Sequence, residues 1–260
     1  MANLSGDRTF NLRLTTTNLN VQQALAAQKS RAAGTVRGLL TGNIQVAGAG
    51  SSFGQIEPRL HGTGAMNLSE GKLVGVNIVG QALQKTDNIP TIGAIVPAAV
   101  VARHPALFRS SDTDIQNASL TFILQGPRLI THDLNLAAAD YSLLGDGWFD
   151  TDKNVDLAAR ILLSKAFSSE LIAAKHNVAY ITNPDQRVEL PLRIVGHLPK
   201  PAIMPDITLL AQRAATHAAQ REVGKLIGKR GGALGSLLSG GSGSPQRSSN
   251  PLNQLKSLFR

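Results

Sequence analysis

The 260-residue chain contains no cysteine. A disulfide framework, a thiol nucleophile and a cysteine-held zinc or iron–sulfur centre are therefore excluded. There is no run of the ~18–20 apolar residues that a spanning helix needs, and residues 1–30 show no basic start, apolar stretch and small-residue cleavage site. Aromatics make up 4% of the chain, and Phe259 is the single one beyond residue 200. Acidic residues are also scarce, 17 against 26 Lys and Arg, and the imbalance is local: residues 201–260 hold 8 basic and 2 acidic residues, a net +6 of the total +9. A basic tail is drawn to anionic partners, nucleic acid or a phospholipid surface. Without aromatics interleaved among its charges the tail lacks stacking platforms, which disfavours nucleic acid.

What the chain does have is alternation. With 42% hydrophobic and 17% charged residues its composition is globular, and residues 1–200 repeat a period of two in run after run. Phe10, Leu12 and Leu14 alternate with polar neighbours. So do Val36, Gly38, Leu40, Ile44 and Val46, then Leu60, Met66 and Leu68, then Leu120, Phe122 and Leu124. Ile130, Leu134 and Leu136 follow, then Val155, Leu157 and Ile161, and finally Val188, Leu190, Leu192 and Ile194. Such runs predict strands with one apolar and one wet face. Short turns at Glu70-Gly71, Gln125-Gly126-Pro127 and Asp152-Lys153-Asn154 predict antiparallel neighbours.

The expected fold is mainly β: a long, curved antiparallel sheet forming an open groove, with short helices and a C-terminal helical tail. Few helices are expected to cover its apolar face. Acyl chains, a partner or a short helix over Ala94–Ala102 would do so, and a closed barrel or sandwich is the competing architecture. Two short helices recur about 57 residues apart, after Asn20 and after Asn77, which suggests a faint repeat. The predicted organisation is a β-groove domain over 1–200 with an insert at 86–110, a helix over 201–230 after a stiff proline crossing, a flexible Gly/Ser linker over 231–249 and a short amphipathic helix over 250–260.

Motifs for chemistry fail on context. Gly50-Ser51-Ser52-Phe53-Gly54 fits the nucleophile-elbow spacing, but a hairpin tip with no following helix is expected there. Asp150, Asp152, Asn154 and Asp156 resemble the start of a calcium loop, yet Val155 and Ile161 stand where the required Gly and bidentate Glu belong, so a solvated turn is expected. Gly228-Lys229-Arg230-Gly231 matches an RNA-clamping loop without the strands that such a loop needs. His61, His104, His132, His176, His197 and His217 show no paired spacing and are read as surface or edge residues. No catalytic residue, metal ligand or cofactor site is assigned, and the chain is not read as an enzyme.

Several phrases, taken in order, resemble the C-terminal region of the AsmA family, the envelope proteins that include the TamB-like bridges of Gram-negative bacteria. They are Leu60 to Leu68 followed by Glu70 to Ile78, Ala118 to Leu136, Tyr141 to Phe149, and Leu190 to Gly196 leading to Pro199, Pro201, Pro205 and Asp206. The resemblance implies a periplasmic β-groove whose apolar concavity shelters phospholipid acyl chains during outer-membrane biogenesis. It also implies an N-terminal inner-membrane helix, which this sequence does not show. Candidate groove residues are Leu40, Ile44, Leu60, Met66, Leu68, Leu120, Phe122, Leu134, Leu136, Leu157, Ile161, Leu190 and Leu192. Leu252, Leu255, Lys256, Leu258, Phe259 and Arg260 are the candidates for docking on a membrane or an envelope protein partner. The alternative function is a structural or chaperone-like module that affects outer-membrane protein assembly.

Overall fold

The alternating runs become nine antiparallel strands in a computed structural model that describes residues 8–27, 34–86, 94–198 and 200–220. The linker, the GXXG motif and the docking candidates Leu252 to Arg260 lie outside the described residues. The chain divides into two compact units, Met1–His217 and Ala218–Arg260. The sheet belongs wholly to the first unit.

Its strands are β1 (Thr9–Asn20), β2 (Val36–Ala49), β3 (His61–Leu73), β4 (Thr113–Gln125), β5 (Arg128–Ala137), β6 (Tyr141–Asp150), β7 (Asn154–Leu163), β8 (Glu189–His197) and β9 (Ala202–Pro205). They pair in strict chain order and the sheet is open, with β1 and β9 at its edges. The helices are α1 (Val21–Ala27), α2 (Phe53–Ile56), α3 (Ile78–Gln84), α4 (Ala98–Arg103), α5 (Pro105–Arg109), α6 (Lys165–Ala174) and α7 over 207–220. All of them but α2 follow an odd-numbered strand, so most helical connections gather at one end of the sheet, which also carries the short β5–β6 turn.

Registration puts the predicted apolar residues, Ile130 excepted, on one face. A row crosses from Leu19 through Leu40, Leu68, Ala118, Leu136, Leu143 and Ile161 to Leu190, each directly opposite the next. The helices cover only the far half of that face. Val79, Leu83, Ile95, Val100 and Leu171 form one buried cluster with Leu143, Ile161, Leu190 and Ile203. Leu210 and Ala214 of α7 join it.

Helix starts follow local chemistry. Asn20 accepts from Gln23 N at 3.0 Å and Asn77 from Gly80 N at 2.8 Å, so both members of the faint repeat are real capped helices. The apolar helix expected over Ala94–Ala102 starts later, at Ala98, because Pro97 sits at its N-cap, and α5 continues it. An ion pair from Glu170 to Arg103 and a hydrogen bond between Glu170 and the His104 ring, both 2.7 Å, hold this insert on α6, and the His104 ring lies 4.8 Å from Phe167. His104 is therefore a packed anchor and not a free surface residue.

Four local expectations change. Glu70-Gly71 is no turn: Glu70 has φ of 50° inside β3 opposite Gly38, where the β2–β3 register shifts, and the chain turns at Val74-Gly75 instead. Residues 202–205 form edge strand β9, where prolines are tolerated, and so the groove domain extends past residue 200. A one-turn helix, α2, does follow Ser52, the serine at the nucleophile position, but the Ser52 side chain makes no capping bond and meets no histidine among the described residues, while its neighbour Ser51 bonds Gln55. Ile130 pairs with Ile123 and Trp148 on the wet face, because bulges on either side of His132 change the parity of β5.

Asp133 fills that interruption. Its carboxylate accepts from Thr121 N and Thr121 Oγ1, both at 2.7 Å, and from Thr131 Oγ1 at 3.1 Å. These bonds, led by the Thr121 hydroxyl, hold its carboxyl below the ordinary carboxylate range. A lowered folded pKa adds stability that is present above the unfolded value of about 3.9 and is lost as pH falls through the folded value. Asp133→Asn should cost at most about 1 kcal/mol at neutral pH, since solvent screens an exposed carboxylate, and progressively less as pH falls through the folded value, as urea unfolding across that range would show.

Candidate functional site

Along the cross-strand row, exposure falls in one direction. Leu19 is 42% exposed, Leu40 and Leu68 are half-buried, Leu136 is 7% exposed, and Ile161 and Leu190 are 0% exposed. One apolar face is thus sealed core at the β5–β9 end and bare at the β1–β4 end. The bare end forms an open trough of about 380 Å³ lined by Leu14, Leu19, Leu40, Ile44, Met66 and Phe122, with Thr15, Thr16, Gly42 and Asn43. This volume falls within the ~300–1,000 Å³ of ordinary small-molecule sites.

Glycines shape its floor. The Phe122 ring lies over Gly64, in the space that a side chain there would fill, and the Phe10 ring lies over Gly48 in the same way, 2.9 Å from where a Cβ would stand. Phe122 is 4% exposed yet stands apart from the helix-covered cluster. It closes the inner end of the trough.

The groove candidates divide between these two environments. Leu40, Ile44, Met66 and Phe122 line the trough. Leu120 lies directly opposite Met66, and Leu60 reaches the vicinity of Gly48. Leu68 and Leu134 are partly buried and pack against the core. Leu136, Leu157, Ile161, Leu190 and Leu192 are part of that core, at most 7% exposed, and so are filled by the protein's own helices and not by a ligand.

Leu14 and Leu19 lie outside the candidate set, yet they are two of the most exposed large apolar residues, at 51% and 42%. Strict alternation from Leu12 and Leu14 would turn Leu19 to the wet face. A bulge between Thr16 and Leu19 brings it back: Asn18 adopts φ of 52°, and its backbone N–H and side-chain oxygen engage Thr41 Oγ1 at 3.0 and 3.3 Å. Asn after a Thr run is the signal, since Asn tolerates the left-handed conformation that a bulge requires.

No charged side chain lines the trough. It holds no acid, base or nucleophile among the described residues, and what it can do is remove apolar groups from water. The charged groups of the strands lie on the other face. His132 pairs with Asp146 at 2.5 Å, Arg193 grips Asp156 through two bonds of 2.7 and 2.8 Å, and Arg213 meets Glu189 at 2.9 Å. The Asp150–Asp156 stretch is a hairpin turn in which Asp150 binds Asn154 through both carboxylate oxygens. Among the described residues no cluster of three or more His, Asp or Glu could hold a metal, and no helix is long and apolar enough to cross a membrane. No family model, curated protein or solved structure matches the chain.

Proposed function

We propose that the chain is a non-enzymatic envelope protein of the AsmA type that holds phospholipid acyl chains in the β1–β4 trough in the periplasm. The supporting observation is the exposure gradient: one apolar face is sealed by helices at one end and left bare, uncharged and concave at the other. Such a face is costly in water unless something apolar fills it. Ten methylenes entering it would contribute ~8 kcal/mol gross, against ~4 kcal/mol or more for lost freedom, which gives reversible holding. The basic segment beyond residue 200 would keep the protein near anionic headgroups.

The test is binding of a fluorescent acyl-chain phospholipid to the purified protein. Ile44→Asp should weaken it at least about tenfold, since a carboxylate there must be desolvated beneath the chain. Thr63→Asp, on the wet face between Gln45 and Ile123, should leave it unchanged. Thr121 is a poor control because it holds Asp133. Equal affinities for both variants overturn the reading.

A further inference from the structure

The outer edge of β1 has no partner strand among the described residues. Gly50 N donates to Arg8 O at 3.0 Å, and bonding positions alternate along an antiparallel strand. Phe10, Leu12 and Leu14 therefore bond β2, while Thr9, Asn11, Arg13 and Thr15 turn their N–H and C=O groups outward. Natural edges are guarded by proline, lysine, inward charge or bulges. Over Thr9–Thr16 β1 has no proline, no lysine and no bulge. Its one charged residue, Arg13, leans towards β2, donating to Gln45 Oε1 at 3.2 Å.

We propose that this edge pairs with β1 of a second copy of the same chain, antiparallel about a two-fold axis at Leu12, so that two troughs join in one continuous apolar face. The strand is self-complementary in that register alone. Leu12 stands opposite Leu12, Phe10 opposite Leu14, Thr9 opposite Thr15 and Asn11 opposite Arg13, so apolar meets apolar and no like charges meet. A slip of one residue would turn one copy's apolar face to the wet side. Moving the axis to residue 13 sets Arg13 against Arg13, and moving it to residue 11 sets Leu14 against Arg8, each worse for cross-strand pairing. Pairing also covers the flank of Leu12 and Leu14, which are 45% and 51% exposed. The contact is small and the dimer is weak and concentration-dependent.

The absence of cysteine makes the test direct. In this register Leu12 and its mate form a non-hydrogen-bonded pair with Cα atoms ~4.5 Å apart, which a disulfide spans. Under mild oxidation the full-length Leu12→Cys protein should become a covalent dimer at least ten times faster than Ile123→Cys, a 44% exposed site on β4, and faster than Leu14→Cys. Adding Asn11→Pro removes an outward N–H and leaves the β2 bonds intact, a change that edge strands tolerate. It should return Leu12→Cys to the Ile123→Cys rate with the melting temperature unchanged. Equal rates at positions 12 and 123, a faster link at position 14, or crosslinking indifferent to Asn11→Pro overturns the proposal.

Discussion

Ile161→Ala is expected to cost about 2–5 kcal/mol of stability, and Leu14→Ala about 1 kcal/mol or less. The two residues lie on the same face of one sheet. Ile161 is 0% exposed, sits between Leu143 and Leu190 in register and packs under the helices, so truncation leaves a cavity that close-packed neighbours cannot refill. Leu14 is 51% exposed, and truncation there removes contact with water as much as with protein. Urea unfolding of both variants reads the difference. Similar losses would mean that the β1–β4 end is covered, and the trough with it would disappear.

The second large effect is expected at Asn77. Its carbonyl oxygen caps α3 by accepting from Gly80 N at 2.8 Å, while its amide donates to Leu107 O and Ser110 O, both at 2.8 Å. Asn77→Ala removes the cap and strands two carbonyls in a part-buried joint between α3 and α5, which should cost about 2–4 kcal/mol. Asn20 caps α1 through a single exposed bond, so Asn20→Ala should cost about 1 kcal/mol or less. Thermal melts of both variants give the comparison. An equal, small cost would show that the insert does not lean on Asn77.

The sheet, its antiparallel pairing and the identity of its apolar face are legible in the residues, because a period of two sustained over 10–14 residues admits few other readings. Three interruptions are not. Asn18, the Gly38–Glu70 pair and the His132–Asp133 pair each change side-chain parity through backbone conformation, which leaves alternation looking intact on either side. Alternation alone therefore overlooks Leu19 and misplaces Ile130.

The division of the face into sealed and bare halves is hidden for a different reason. Nothing in Leu157 or Leu190 distinguishes them from Leu40 or Ile44. What separates them is which strands the helices after β3, β7 and β9 fold back upon, and that is decided by packing between Leu83, Ile95, Leu171 and Leu210, residues far apart in the chain. Short helices in a proline-containing insert give little warning of so large a role. Strand β9 escapes a reading by residue type because Pro199 and Pro201 before it and Pro205 at its end look like a stop, though an edge strand needs only one side of its backbone for pairing.

Pairing in strict chain order has a consequence of its own. Each strand closes against the one just made, so apart from the helical excursions over 74–112 and 164–188 the entropy of loop closure is met in small instalments. The same property makes length adjustable. A pair of strands could be gained or lost at the β1 edge without re-threading any other part of the sheet, and the bare trough would lengthen or shorten by the width of a hairpin while the helix-covered end stayed as it is.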